Sequence, residues 1–343
     1  MVGPRRIALC ILAVVAMAGG AACQQTGTAS SSAPSTSAPT PLVVGLGFIP
    51  SVQFAQFYLA EERGYYRAAG LAVELQNRID PELITLLGQG AIDIGNGDGT
   101  SVIPAVSQGI PVRYVATVYA RFPSVVFAKA SSGIATPADL AGRSLGIPGR
   151  FGGSWIMLQA LLASAGLDPD DLTIRDYPDF GQGVAVAQDQ VEAATGFINN
   201  EPIQLERSGD PATILRVDEI TPLPGPGLVV GTATLESKRE PIRAFIAATL
   251  RAMAEIAADP DIGVEATVAR VPDLGQDRAL QRAILDATIQ TWQSPITDAN
   301  GLGAIDRAAW QESVDFMAGL PDSVVARPVT LDELLDDSLL PPP

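Results

Sequence analysis

Between residues 42 and 236 the chain alternates short apolar runs with helix-forming stretches, and this rhythm restricts the fold more than any other feature. LVVGLGF (42–48) is a short apolar run ending in glycine, the pattern of a buried strand. A helix is expected over 53–63, a strand over LAVELQ (71–76), and a short glycine-closed helix in PELITLLGQG. The strand AIDIGNG (91–97), a helix over 100–108 and the strand VRYVATVYA (112–120) complete a first unit. Strands interleaved with helices in this way predict an α/β fold with a mostly parallel sheet.

SVVFAKASSG (124–133) reads as an extended segment leading out of that unit, and a second α/β run follows. There ATPADLAG is a short helix, RSLGIPG a strand, 153–165 a helix, LTIRDY a strand, 182–189 a helix and VEAATGF a strand, with ILRV (214–217) later. TPLPGPG (221–227) breaks the pattern and LVVGTATL returns as a strand. Beyond residue 237 the chain turns to helices, expected over 239–258, 262–271, 276–293 and 303–319. The chain therefore crosses twice, near 125–133 and 221–230, and inserts one α/β unit into another. Ligands in open α/β sheets sit beyond the carboxyl ends of the strands, so two such lobes face each other across a cleft. Near the C-terminus, DELLDDSLL is an acidic amphipathic patch. It lacks the glycine and alternating oxygen ligands of a calcium loop and is expected to dock as a surface helix.

The N-terminus reads differently. Arg5 and Arg6 precede the apolar run IALCILAVVAMA, too short to span a bilayer, so residues 1–22 are expected to be a secretory signal peptide. GGAAC then places Cys23 behind two alanines, in a setting resembling the lipobox of bacterial lipoproteins. Lipidation of Cys23 is expected, with plain cleavage as the alternative. Cys10 falls in the leader, so Cys23 alone would survive maturation, leaving no internal disulfide or CxxC pair. Residues 23–41 are rich in Ser, Thr, Ala and Pro and read as a flexible tether.

Several chemistries are excluded. The chain has no histidine, which removes the usual general base, the Ser-His-Asp triad and imidazole zinc sites. Its net charge of −16 makes nucleic acid and anionic lipid poor partners. The glycine-rich turn GRFGGSW (149–155) has the outline of a phosphate cradle, but the Walker lysine is missing, and Lys129 and Lys238 are the only lysines. GNGDGTS lacks the third glycine of a dinucleotide fingerprint. Phosphoryl transfer has no parts here, and no cofactor or metal is called for.

Binding remains. In GRFGGSW, Gly152 and Gly153 would let a ligand approach the backbone, Ser154 offers a hydroxyl at a helix start, and Phe151 and Trp155 flank the turn with flat faces. A helix start with its aromatics in the core is the alternative. Gln53, Phe54 and Tyr58 open a helix after Phe48, and an amide beside aromatics suits a planar heterocycle. A purely amphipathic helix covers Tyr58 well and Gln53 less well. Asp98 and Thr100, with Ser101, either cap a helix or touch ligand. Asn199, Asn200 and Glu201 either cap or read a ligand edge. Tyr119 lies at a strand end beside Arg121, which either faces water or neutralises an anionic ligand group.

Together, FIPSVQFAQFYLAEERGYYRAAGL, GAIDIGNGDGTSVIPAVSQGIPVRYVATV, ATPADLAGRSLGIPG and VEAATGFINNEPIQL resemble the type II periplasmic-type solute-binding proteins of bacterial ABC importers. The closest branch holds sulfonate, thiamine-pyrimidine-precursor and riboflavin binders, and the resemblance runs from about 42 to 255. It implies a two-lobe clamshell hinged on two crossing segments, with lobe 1 over 42–128 and 226–343 and lobe 2 over 129–225. It also implies a monomeric, non-enzymatic, membrane-anchored protein on the outer face of the cytoplasmic membrane or in the periplasm. Such a protein captures a small solute and hands it to permease and ATPase subunits. PSVQFAQFY and GFINNEP favour a planar nitrogen heterocycle, a thiamine pyrimidine precursor or riboflavin-like, stacked on Trp155 or Phe54. A small-anion binder of the sulfonate or nitrate type is the alternative. A pyrimidine-precursor synthase of the same fold is disfavoured, because that enzyme consumes its own histidine.

Overall fold

The computed structural model describes residues 38–79, 82–320 and 324–342. The expected signal peptide, Cys23 and most of the expected tether lie outside the described residues. The chain enters through β1 (Thr40–Leu46), so Thr40 and Pro41, expected in the tether, already pair with Leu71 and Ala72. It continues through α1 (Ala55–Glu62), α2 (Tyr65–Ala68), β2 (Leu71–Asn77), α3 (Glu82–Gly88), β3 (Ile94–Asp98), α4 (Gly99–Ser107) and β4 (Val112–Thr117). A second run follows, with β5 (Ser124–Lys129), β6 (Ser144–Ile147), α5 (Gly152–Ser164), β7 (Thr173–Asp176), α6 (Gln182–Ala187), β8 (Ala193–Phe197), α7 (Glu201–Arg207) and β9 (Ala212–Arg216). The chain returns in β10 (Pro226–Gly231) and ends in helices α8 (Thr232–Ser237), α9 (Arg239–Ala258), α10 (Pro260–Arg270), α11 (Arg278–Trp292), α12 (Pro295–Asn300), α13 (Arg307–Ala318) and α14 (Leu331–Leu334).

The strands form two five-stranded sheets with the same plan, β2-β1-β3-β10-β4 and β7-β6-β8-β5-β9. In the first, β1 runs parallel to β2 and β3 while β10 runs against β3 and β4. In the second, β6 runs parallel to β7 and β8 while β5 runs against β8 and β9. The lone reversed strand in each sheet is the one that has just arrived from the other lobe. A crossing of a few residues leaves no room for the helical crossover that a parallel entry needs.

Two expectations are corrected here. The sequence reading assigns residues 124–128 to the first lobe, but β5 is bonded on both edges to β8 and β9 of the second sheet. The crossings are thus shorter and earlier, between β4 and β5 and between β9 and β10. TATL was expected as strand, yet it opens α8 directly after Gly231. The crossings touch one another: the Tyr119 N–H donates to the Pro226 carbonyl at 2.8 Å, and a Cβ at Gly225 would lie 2.4 Å from the Tyr119 carbonyl oxygen. Glycine is required there by close approach, not by an unusual φ.

The C-terminal helices cover the first lobe. Along α9, Ile242, Phe245, Ile246, Thr249, Met253 and Ile256 are buried at helical spacing, and Tyr66 stacks on Phe245 at 4.8 Å. The acidic C-terminal patch docks through Leu334, Leu335 and Leu339, with Asp336 donating its N–H to the Tyr114 carbonyl. A second apolar cluster runs from Leu83, Ile103 and Trp310 in the first lobe to Val126, Leu145 and Met157 in the second. Among the described residues no helix is long and apolar enough to cross a membrane.

Candidate functional site

The carboxyl ends of β1 and β3 face those of β6 and β8, and between them lies a cavity of about 860 Å³, its open mouth included. That position suits a small organic molecule. Five phenylalanines and a tyrosine supply its apolar walls. Phe48 and Phe54 come from the first lobe, Phe151, Phe180 and Phe197 from the second, and Tyr119 from a crossing. Phe48 meets Phe180 across the lobes, edge to face, with centroids 4.9 Å apart.

The polar groups divide between the lobes. Gln53 is pinned by its Nε2, which donates to Ser51 Oγ at 3.1 Å, so its Oε1 faces the other lobe. There it accepts from Asn199 Nδ2 at 3.1 Å, and Asn199 Nδ2 also reaches Thr288 Oγ1 of α11 at 2.7 Å. This buried amide relay ties the lobes beside Tyr119, whose hydroxyl also reaches Gln53 Oε1 at 3.4 Å. Burial pushes the Tyr119 phenol upward, so it remains a neutral donor.

Asp98, the last residue of β3, stands at the N-cap of α4 but makes no side-chain cap bond there. Its Oδ2 accepts instead from the Gly153 N–H of the second lobe at 3.2 Å. The N-cap residue of α5 is Phe151, which has no capping side chain, so the first lobe supplies an acceptor to the amides at the start of that helix. Gly152 holds the left-handed φ of +61°, and a Cβ on Gly153 would sit 3.0 Å from Asp98 Oδ2 and 3.1 Å from Thr100 Oγ1. Gly152 is thus set by its backbone conformation and Gly153 by this contact. Burial raises the Asp98 carboxyl from 3.8 to about 6, with the Gly153 N–H opposing the rise.

Glu201 opens α7 and turns back on its own lobe, where its Oε2 accepts from the Phe197 N–H at 2.8 Å. Gly183 and Gly196 leave its slot: a Cβ on Gly196 would lie 3.0 Å from Glu201 Oε2, and one on Gly183 would lie 3.2 Å from its Cγ. Burial raises this carboxyl too. Asn200 lines the cavity with its Oδ1 accepting from Gln204 Nε2 at 2.8 Å. Ser154 lines it as well, its hydroxyl 3.3 Å from that of Ser124.

Of the residues singled out in the sequence, Gln53, Phe54, Asp98, Tyr119, Phe151, Gly152, Gly153, Ser154, Asn200 and Glu201 line this one cavity. Five are not among its lining residues. Tyr58 is a core residue of α1, its phenol pushed up to about 12 by burial. Asn199 is fully buried and acts through Gln53 and Thr288. Thr100 is fully buried beneath Gly153. Arg121 donates its Nε to the Gln293 carbonyl at 3.0 Å and borders a separate groove along the crossings. Trp155, expected to stack on the ligand, is outside this lining; its ring lines a neighbouring groove beside Thr100 and Ser101, with the Arg150 guanidinium 5.4 Å from its centroid.

Sequence reasoning missed Asn96, Phe180, Gln182 and Phe197, all of which line the cavity. Phe180 has a φ of +61°, uncommon for a bulky residue, in the turn DFGQG. That glycine-flanked aromatic and amide, and the amide of GNG at a strand end, were signals available in the sequence.

Comparison with known proteins agrees with the two-lobe fold. The model of the NMT1/THI5-like family matches residues 51–262. The riboflavin-binding protein RibY of Chloroflexus aurantiacus is 33% identical, with 92% of each chain covered. A 4-amino-5-hydroxymethyl-2-methylpyrimidine phosphate synthase of Legionella pneumophila is 27% identical over 63% of this chain and 69% of its own. The formylaminopyrimidine-binding protein of Halalkalibacterium halodurans is 27% identical over 80% and 83%. Among solved structures, the alkanesulfonate-binding protein SsuA of Xanthomonas axonopodis superposes with a TM-score of 0.67 at 17% identity, over 89% of this chain and 99% of that one. At that identity the likeness is one of fold. A two-lobe periplasmic-binding-protein fold, a shared cleft and the match over 51–262 lead to one conclusion: the chain belongs to the NMT1/THI5-like family.

Proposed function

We propose that this protein is the extracytoplasmic solute receptor of an ABC importer. It captures a planar nitrogen heterocycle of the riboflavin or thiamine-pyrimidine class between its lobes and delivers it to a permease. The observation that carries this reading is the single cavity where aromatic rings from both lobes surround amides and carboxyls. Flat rings stack on such faces while ring nitrogens and amino groups bond at the edges. The names of RibY and the formylaminopyrimidine-binding protein support the ligand class. The leader and Cys23 support export and anchoring to the outer face of the membrane.

Two other readings fare less well. A sulfonate receptor wants cationic donors, and among the described residues no Lys or Arg lines the cavity. A synthase that consumes its own histidine lacks that residue in this chain. Equilibrium titration with riboflavin and with 4-amino-5-hydroxymethyl-2-methylpyrimidine tests the proposal. Saturable binding of one, without turnover, is the expected result. Product formation, or silence from both, overturns it.

A further inference from the structure

The charged groups of the cavity are all of one sign. Among the described residues that line it, Asp98 and Glu201 are the ionisable carboxyls, one from each lobe, and no cation accompanies them. Three arginines lie within two positions of a lining residue, and each has a partner outside the lining: Arg78 donates its Nε to Gln76 Oε1 at 3.3 Å, Arg121 donates to the Gln293 carbonyl, and Arg150 lies over Trp155.

The neutral groups lean the same way. Asn96 and Gln182 are 5% and 1% exposed, and the side-chain oxygen of each has no hydrogen-bond partner within the protein. The orientation of Gln182 is fixed, because its Nε2 donates to the Thr195 carbonyl at 3.2 Å and a flipped amide would set oxygen against oxygen. A buried acceptor without a partner is costly, and a ligand N–H or O–H removes that cost. One residue lining the cavity from each lobe thus holds a buried side-chain oxygen without a protein partner.

We infer that the cleft selects its ligand by charge and donor content, taking the free amino- or hydroxyl-bearing heterocycle and rejecting the phosphate ester of the same ring. This rests on the heterocycle reading above. An anionic phosphate closed between Asp98 and Glu201 meets like charge with no cation to offset it, and like-charge juxtaposition in an enclosed interface is strongly unfavourable. Donors on the free compound instead meet the unpartnered oxygens of Asn96 and Gln182.

The test is calorimetric titration of the full chain with four probes: riboflavin, riboflavin 5′-phosphate, 4-amino-5-hydroxymethyl-2-methylpyrimidine and its phosphate ester. For whichever ring binds, the ester is expected to bind on the order of a hundredfold more weakly. In an Asp98→Asn/Glu201→Gln variant that retains its circular dichroism, that gap is expected to shrink by about tenfold or more. Glu201→Gln alone serves if the double variant does not fold, with a smaller reduction. An ester within tenfold of its free ring overturns charge selection while leaving the heterocycle reading standing. A gap that survives neutralisation unchanged also overturns it. Failure of all four probes removes the heterocycle reading, and charge selection falls with it.

Discussion

Asp98 and Glu201 stand at matching places, the strand-to-helix turns β3–α4 and β8–α7, yet their carboxylates are held in opposite ways. Glu201 is fixed by its own lobe, through the Phe197 N–H and a slot left by two glycines. Among the described residues Asp98 finds its side-chain partner in the other lobe, at the Gly153 N–H. One carboxylate is held within its own lobe; the other is held across the cleft. Lobe closure around ligands is a recognised mode of switching, and the Asp98–Gly153 contact is where it would be felt here.

The contrast is broken most sharply at Gly153. A Gly153→Val variant pushes side-chain atoms into Asp98 and Thr100 across the cleft, and overpacking is compounded by the loss of a hydrogen bond to a charged group. Ligand affinity is expected to fall by about 3 kcal/mol or more, with the far-ultraviolet circular dichroism unchanged. Affinity close to wild type would mean that the lobes need not meet at this point.

Next come the rings. Phe48→Ala and Phe180→Ala each remove one half of the interlobe aromatic contact, and each is expected to weaken binding by about 1–3 kcal/mol, by analogy with base–aromatic stacking. Titration of both variants shows whether the two lobes contribute equally; a loss confined to one would assign stacking to that lobe.

The carboxylates separate by pH. Folding raises the Asp98 carboxyl from 3.8 to about 6, so the native state holds its proton more tightly than the unfolded chain. The stability this group contributes is full below 3.8 and is lost as pH rises through about 6. Asp98→Asn is expected to raise the unfolding free energy at pH 7 relative to that at pH 4 by ~1–3 kcal/mol compared with wild type, in the unliganded protein. Urea unfolding at the two pH values measures this, and an unaltered difference would deny that Asp98 is buried by lobe contact.

The smallest effect is expected at Trp155. Because its ring lies outside the cavity, Trp155→Ala should change affinity by less than about 0.5 kcal/mol. A loss comparable to that of the phenylalanines would return Trp155 to the binding surface and shift the site towards the neighbouring groove.

Much of this was legible from residue types alone. The alternation of strands and helices, the two crossings and the helical C-terminal third follow from periodicity and glycine placement, which are local properties. The turns GNGDG, GRFGG and INNEP stand out in the sequence as candidates, GRFGG because its glycine pair and aromatics exceed what capping requires and the other two with capping as an open alternative, and residues of each line the cavity. Direction was harder to read. Nothing in ARFPSVVFAK states that 124–129 will pair with β8 and β9, since strand partners are chosen by long-range hydrogen bonding. The side on which Trp155 emerges depends on the rotation of α5 about its axis, a property of packing.

The sequence by itself determined a twice-crossed α/β chain without histidine, equipped to bind and not to use imidazole chemistry. Tertiary structure alone decided which aromatics form the walls, that Asn199 supports Gln53 from behind, and that Asp98 answers to the opposite lobe. The reason is physical. Periodicity and turn chemistry act over a few residues, whereas the cleft joins groups such as Gln53 and Asn199, 146 positions apart, brought together only when both sheets have formed and the lobes have met.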